Sequence, residues 1–332
     1  MNWLVYQLEK LKELLRNMQR VCVMTHRHAD LDAYACGVAT KELINKLGLN
    51  AALVIPEGLS YEVKTFITRL GINYQGLDNC DEADLIFLVD VSTYAQLNEF
   101  RNVIGDKPVV VMDHHEVRNV VPTVSLVDPN ATSCSEIIAR VFGEFGIEPS
   151  TETATLLIGG VLSDSGRLSR ARPETFEVLA WLLRLAGRDY REIVNAMIEE
   201  VTFSERMAKV KGLLRMSAYR AGDYIICLSN VNAYESSLAD TLIKSGCDVA
   251  LVVSEHEGEM RLFGRSNKRI AEKLSLAEVF SDLAKYFNGE GGGHAMAAAL
   301  SVRARIDPTT ILIKALSSVE QRLGVKALRI TD

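Results

Sequence analysis

The chain has 332 residues, 48% of them hydrophobic and 24% charged, with a formal net charge of −6. That length leaves room for two domains at about 100–200 residues each, and the balance is ordinary for a globular protein in water. An acidic chain with 7% aromatic residues lacks the basic track and stacking side chains that grip long nucleic acid, and no apolar run approaches the roughly 20 residues that span a bilayer.

Met1 to Arg20 is amphipathic, with Leu8, Leu11, Leu14, Leu15 and Met18 on one helical face. It carries acids among its bases and does not read as a secretory signal. Val21-Cys22-Val23-Met24 then reads as a buried strand, and Ala33 to Leu47 as a helix. The turn between them holds His26, His28, Asp30 and Asp32. Open α/β sheets place ligand sites in such turns, and hard carboxylate oxygens with one imidazole suit Mn²⁺ or Mg²⁺ better than structural zinc. One such turn with a capping Asp is commonplace; its recurrence is what counts. The expected strand Asp84–Val89 ends at Asp90, the strand Val109–Met112 runs into Asp113-His114-His115, and the apolar segment from Gly159 to Leu162 terminates at Asp164. Four segments thus bring carboxylates or imidazoles to one edge of the fold.

Further strands are expected at Ala51–Ile55 and Thr123–Val127, with a helix at Tyr61–Leu70 between them ended by Gly71. Continuous apolar strands alternating with helices imply a parallel sheet covered on both faces. From Thr132 the character turns helical, with segments Ser135–Phe145, Thr151–Leu162, Pro173–Leu185, Tyr190–Glu199 and Phe203–Met216. Past a boundary near Arg220, strands follow at Tyr224–Leu228, Val249–Ser254, Met260–Gly264 and Ala298–Val302. A capping box at Ser275-x-x-Glu278 starts one helix, and Pro308–Leu323 is another. The expected architecture is α/β: an N-terminal parallel-sheet domain over residues 1–185, a helical linker over 186–220, and a smaller α/β domain over 221–332. The six cysteines are scattered without a Cys-x-x-Cys pair and read as small buried residues of a cytoplasmic protein, not as a disulfide framework or zinc site.

His26-x-x-x-Asp30-x-Asp32-Ala33, then Asp90, then Asp113-His114-His115, then Ser163-Asp164 resemble in order the four motifs of the DHH phosphoesterases. Arg265-Ser266 and Gly291-Gly292-Gly293-His294 resemble the C-terminal domain associated with that family. The size and glycine-rich ending look most like members that cleave nanoRNA and phosphoadenosine phosphate. Leu31 stands where the family often has glycine, and Ala298-Ala299-Leu300 where it often has Ala-Ala-Gly; neither change removes a ligand.

The resemblance implies two Mn²⁺ or Mg²⁺ ions, one held by His26, Asp30 and Asp90 and the other by Asp32, Asp90, His114 and Asp164. Asp113 would orient an imidazole and His115 would donate to the phosphate. Arg265, Ser266, Gly291, Gly292, Gly293 and His294 would hold the anionic or terminal part of the substrate, the glycines as a nest of backbone N–H groups. His28 reads as a loop histidine, and Arg167, Arg170 and Arg172 either as solvated charges or as aids to anion entry. The expected activity is hydrolysis of di- to pentanucleotides to nucleoside 5′-monophosphates. The alternatives are a linear or cyclic dinucleotide phosphodiesterase, a phosphoadenosine phosphate phosphatase, or an inert scaffold for replication or repair partners. A homodimer is compatible with the sequence.

Overall fold

The computed structural model describes residues 3–330 apart from Leu77, Asp81, residues 116–118, Glu199, Arg305 and the side chain of Glu99. The chain divides into two units, Met1–Glu199 and Glu200–Asp332.

In the first unit the order is α1 (Trp3–Leu15), β1 (Arg20–Met24), α2 (Leu31–Lys46), β2 (Asn50–Val54), α3 (Tyr61–Leu70) and β3 (Leu85–Val89). A 3₁₀ turn (Tyr94–Phe100) and α4 (Arg101–Ile104) lead to β4 (Val109–Asp113) and β5 (Val124–Val127), followed by α5 (Cys134–Glu144), α6 (Thr151–Asp164), α7 (Pro173–Ala186) and α8 (Tyr190–Ala196). The five strands form one wholly parallel sheet in the order β2-β1-β3-β4-β5. Side chains alternate across it. Val21, Val23, Phe87, Val110 and Met112 face a core shared with α1, α2, α5 and α6. Cys22, Met24, Ile86, Leu88 and Val111 face a smaller cluster closed by Leu97 and Ile104. Burial on both faces is why these strands read as unbroken apolar runs.

The order 2-1-3-4-5 reverses direction between β1 and β3, so the loops leaving those two strands flank an open crevice at their carboxyl ends. His26 and Asp30 follow β1, and Asp90 follows β3. The topology itself therefore brings the first and second acidic motifs together.

The second unit contains α9 (Phe203–Leu214), β6 (Ser217–Ala221), β7 (Tyr224–Asn230), α10 (Glu235–Lys244), β8 (Val249–His256), β9 (Glu259–Ser266), α11 (Lys268–Ala271), α12 (Leu276–Phe287), β10 (Glu290–His294), β11 (Ala297–Val302), α13 (Pro308–Leu323) and β12 (Leu328–Arg329). Its seven-stranded sheet runs β10-β11-β9-β8-β7-β6-β12, parallel between β7 and β8 and antiparallel elsewhere. α12 and α13 cover one face through Val279, Phe280, Leu283, Ile311 and Val319, while α10 covers part of the other through Leu238, Ala239 and Leu242.

Several expectations need correction. The stretch 186–220 is not one linker: α8 lies in the first unit, and α9 opens the second, where Leu238 of α10 leaves room only for a glycine at Gly212. The expected helix end at Glu199 lies outside the described residues. β6 and α10 were not foreseen; α10 starts after Tyr234 at φ 67° without a side-chain cap, so it shows no N-terminal signature. The Gly291–Gly293 run is an edge strand, not a nest. Finally, Cys22–Cys80 and Cys227–Cys247 are disulfide-bonded, with Cα separations of 5.4 and 6.0 Å, inside the usual range. Partners 58 and 20 residues apart in sequence on apolar segments give no spacing signal. Alkylation of the unreduced, denatured protein should therefore block only Cys36 and Cys134, the two free thiols, and reduction should expose all six. Six thiols labelled without reductant, by intact mass, would contradict the pairing.

Candidate metal centre

The turn after β1 is held by backbone bonds to neighbouring loops: Arg27 N–H donates to Gln96 O at 2.9 Å, His28 N–H to Pro56 O at 3.0 Å and Ala29 N–H to Gly58 O at 3.0 Å. Asp30 is the N-cap of α2, accepting from Ala33 N–H at 3.0 Å through Oδ1. Its other oxygen, Oδ2, lies 3.7 Å from His26 Nε2. Asp32, one half-turn on, is fully buried and points the other way into the start of α5, where Cys134 N–H (2.6 Å) and Ser135 N–H (2.8 Å) donate to its two oxygens. A helix N-terminus suits an anion in that place.

Asp90 sits just past β3 at φ 57°, an uncommon conformation outside glycine that Asp tolerates better than most residues. Its N–H donates to Met112 O at 2.9 Å, fixing it to β4. The buried carboxylate faces two imidazoles: Oδ2 is 3.7 Å from His26 Nε2, and Oδ1 is 3.6 Å from His114 Nε2. His114 Nε2 is in turn 3.4 Å from Asp164 Oδ2 and 3.9 Å from Asp32 Oδ2. Among the described residues three groups of metal-competent atoms result: His26–Asp30–Asp90, Asp32–His114–Asp164 and Asp90–His114–His115. Asp113 is fully buried and accepts from His115 N–H at 2.9 Å, with its Oδ1 2.6 Å from His115 Nδ1. His28 lies outside these groups and pairs with Glu57 at 2.7 Å.

So many carboxylates cannot all stay charged side by side without cations. Burial, reinforced by the charge of Asp164, pushes Asp32 up to about 7. Burial and then Asp32, Asp30, Asp113 and Asp164 hold Asp90 well above the usual carboxylate range. Burial alone would lower His26 and His114, but the adjacent carboxylates of Asp30 and Asp164, with the other negative charge around them, raise both. Asp90 Oδ1 and His114 Nε2 are buried without a hydrogen-bond partner. Buried polar atoms are normally satisfied. Unpartnered oxygen and imidazole donors converging on shared points fit divalent cations of the Mn²⁺ or Mg²⁺ type.

What supports this cluster carries no sequence motif. Glu136 of α5 is buried and accepts from Thr132 Oγ1 (2.8 Å) and Thr175 Oγ1 (2.8 Å), while Arg140 and Arg172 (3.2 Å) pair with it. It ties the N-terminal turn that serves Asp32 to α7. Gly160 of α6 faces the same turn: a Cβ there would come within 2.9 Å of Asp32 Oδ1 and would also strike Ser135 Oγ. We expect Gly160→Ala to cost about 1–3 kcal/mol in a denaturant titration and to weaken divalent-ion binding; wild-type values for both would contradict this role.

Arg170 donates to the Asp164 carbonyl, and Arg172 is committed to Glu136. In the second unit, Arg265 pairs with Asp240 at 2.7 Å and remains partly exposed. His294 ends the exposed edge strand, opposite Ala297. Ser266 is buried with Oγ unpartnered and does not share the exposure of Arg265. Gly291 and Gly293 are required by packing, since a Cβ would strike Phe280 O (2.9 Å) or the backbone of Ala297 and Ala298; at Gly292 it would meet nothing within 4 Å.

Residues 20–161 match the DHH family, N-terminal domain. Among similar proteins, uncharacterized protein MJ0988 of Methanocaldococcus jannaschii is 28% identical over 296 residues, covering 87% of this chain and 89% of its own. The cyclic-di-AMP phosphodiesterase PdeA of Listeria monocytogenes is 26% identical over 226 residues, 62% of this chain but only 34% of that longer protein. The crystal structure of an exopolyphosphatase-related protein from Bacteroides fragilis superposes with a TM-score of 0.60 over 96% of both chains at 16% identity, a likeness of fold. No helix among the described residues is long and apolar enough to cross a membrane. The parallel sheet thus lies within the segment that is similar to the DHH family, N-terminal domain.

Proposed function

We propose that the protein is a divalent-metal-dependent phosphodiesterase that hydrolyses di- to pentanucleotides to nucleoside 5′-monophosphates. The observation that carries this reading is Asp90, whose two oxygens face separate imidazoles, His26 and His114, at 3.7 and 3.6 Å. Under it, His26, Asp30 and Asp90 hold one ion, and Asp32, Asp90, His114 and Asp164 the other. A bound pair of such ions supplies an acidified water and neutralises charge on the phosphoryl oxygens. Asp113 fixes His115 through Nδ1, leaving its Nε2 to meet a phosphate oxygen. The turn after β1 and the N-terminus of α5 keep the carboxylates in place before substrate arrives, so little reorganisation is needed on binding. Arg265 and His294, beside the glycine strand, take the terminal or anionic part of the substrate.

A second reading, hydrolysis of a cyclic dinucleotide, is favoured by the similarity to PdeA. A panel of linear di- to pentanucleotides, cyclic dinucleotides and phosphoadenosine phosphate, resolved by chromatography with added Mn²⁺ or with chelator, decides between them. Mononucleotides released from the short linear substrates only when metal is present are expected. Turnover confined to a cyclic dinucleotide selects the second reading, and no phosphoester cleavage with any metal overturns both.

A further inference from the structure

Glu136, in the first turn of α5, is withdrawn completely from water. A buried charge is costly unless it is paired and hydrogen-bonded, and among the described residues Glu136 belongs to none of the metal-competent groups. Its partners show what it holds. Three arms leave it, and each ends at the support of a different member of the Asp32–His114–Asp164 group.

The first arm is α5 itself. Glu136 Oε2 accepts from Thr132 N–H (3.2 Å) and Thr132 Oγ1 (2.8 Å), and the Glu136 N–H donates to Ser133 Oγ at 3.0 Å. These bonds close the turn at Thr132 and Ser133 onto the helix, fixing the Cys134 and Ser135 N–H groups that hold both oxygens of Asp32. The second arm runs through Arg140, which pairs with Glu136 and donates to Asp128 Oδ2 at 3.1 Å. Asp128 follows β5, and its N–H donates at 3.2 Å to the carbonyl of Asp113, the residue before His114. The third arm reaches the start of α7, where Thr175 Oγ1 (2.8 Å) and Arg172 (3.2 Å) donate to the carboxylate. Arg172 thereby anchors the far end of the turn that leaves Asp164. Within that turn Arg170 donates to the Asp164 carbonyl through its side chain and to Ser165 O, at 3.0 Å, through its N–H.

The His26–Asp30–Asp90 group is braced elsewhere. Its turn bonds to Gln96, Pro56 and Gly58, and Asp90 bonds to Met112. His26 and Asp30 also share one short turn, at i and i+4, so the chain itself keeps them together. Asp32, His114 and Asp164 come from α2, the end of β4 and the end of α6, and their spacing depends on what ties those elements.

Resting on the two-ion reading above, we propose that Glu136 is a positioning residue for one ion only. It sets the spacing of Asp32, His114 and Asp164, and its loss weakens the ion held there while the ion at His26, Asp30 and Asp90 stays.

The test is equilibrium dialysis of the full-length protein against a range of Mn²⁺ concentrations, with urea titrations to show that each variant is folded. The wild type should bind two ions. Glu136→Gln should keep one at wild-type affinity and weaken the other roughly 10- to 100-fold, the usual cost of losing an outer partner of a metal ligand. Thr175→Val, which removes one donor to Glu136 and keeps the side chain's shape, should weaken the same ion by less. Adding Asp30→Asn to Glu136→Gln should weaken the retained ion, whereas adding Asp164→Asn should leave it in place. Leu11→Ala opens a cavity beneath α1, a helix without a site residue; it should lower the urea midpoint and leave both affinities unchanged, which separates positioning from general loss of stability. Both ions weakened together in Glu136→Gln, both kept at wild-type affinity, or the ion at His26 and Asp30 lost instead would overturn the inference. Should Glu136→Gln not fold, Thr175→Val decides by the same outcomes. Fewer than two ions in the wild type would overturn the two-ion reading itself.

Discussion

Asp90→Asn should lower kcat on a short oligonucleotide by about 10³-fold or more, because charge stabilisation by metals is worth several kcal/mol and each 1.36 kcal/mol is a factor of ten in rate. Asn is the informative replacement. Residue 90 lies at φ 57°, and Asn tolerates that conformation nearly as well as Asp, whereas Ala adds about 1–2 kcal/mol of backbone strain. The metal-free variant should be no less stable than the metal-free wild type, since the lost carboxylate is buried among like charges from Asp32, Asp30, Asp113 and Asp164. A structural carboxylate would behave in the opposite way, with stability falling and activity per folded molecule surviving. Assays at saturating Mn²⁺ with parallel urea titrations separate the two.

The second large effect is on pH. Asp32 titrates near 7 in the fold and Asp90 well above the usual carboxylate range, while in the unfolded chain both titrate near 3.9. Between those values the native state holds more protons than the unfolded one, so stability falls as pH rises. His26 and His114, also raised, act in the same direction: their contribution is full below about 6.5 and is lost as pH passes their folded values. Asp30, where burial is outweighed by the nearby His26 and the Ala33 N–H so that its pKa is lowered, loses its contribution only in strong acid. The metal-free protein should therefore be less stable at pH 8 than at pH 5 by a few kcal/mol, on the order of 1.4 kcal/mol per pH unit for each extra proton held. Divalent ions that bind only the folded state should reverse the loss at pH 8. Urea midpoints that are flat or rise with pH in chelator would contradict this electrostatic description.

The parallel sheet was legible because its strands are buried on both faces and a carboxylate or imidazole follows such a run: Asp90 after Leu85–Val89, His114 after Val109–Asp113. Periodicity carries that information. It does not say which oxygen faces which imidazole. Asp30 and Asp32, two residues apart, separate into different donor groups because one caps α2 and the other reaches the N-terminus of α5, a contact made across 102 residues. Gly160 is invisible for the same reason, since its neighbours Ser135 and Asp32 come from other elements. In the second unit, glycines in a row resemble a loop, and only pairing with Ala297–Val302 makes them a strand.

The pairing of His26 and His114 across one carboxylate has a direct readout in metal stoichiometry. Equilibrium dialysis against Mn²⁺ followed by elemental analysis should give two ions per chain for the wild type and a clear loss of bound metal for Asp90→Asn. One ion or none in the wild type, or two retained in Asp90→Asn, would show that Asp90 does not join two metal positions.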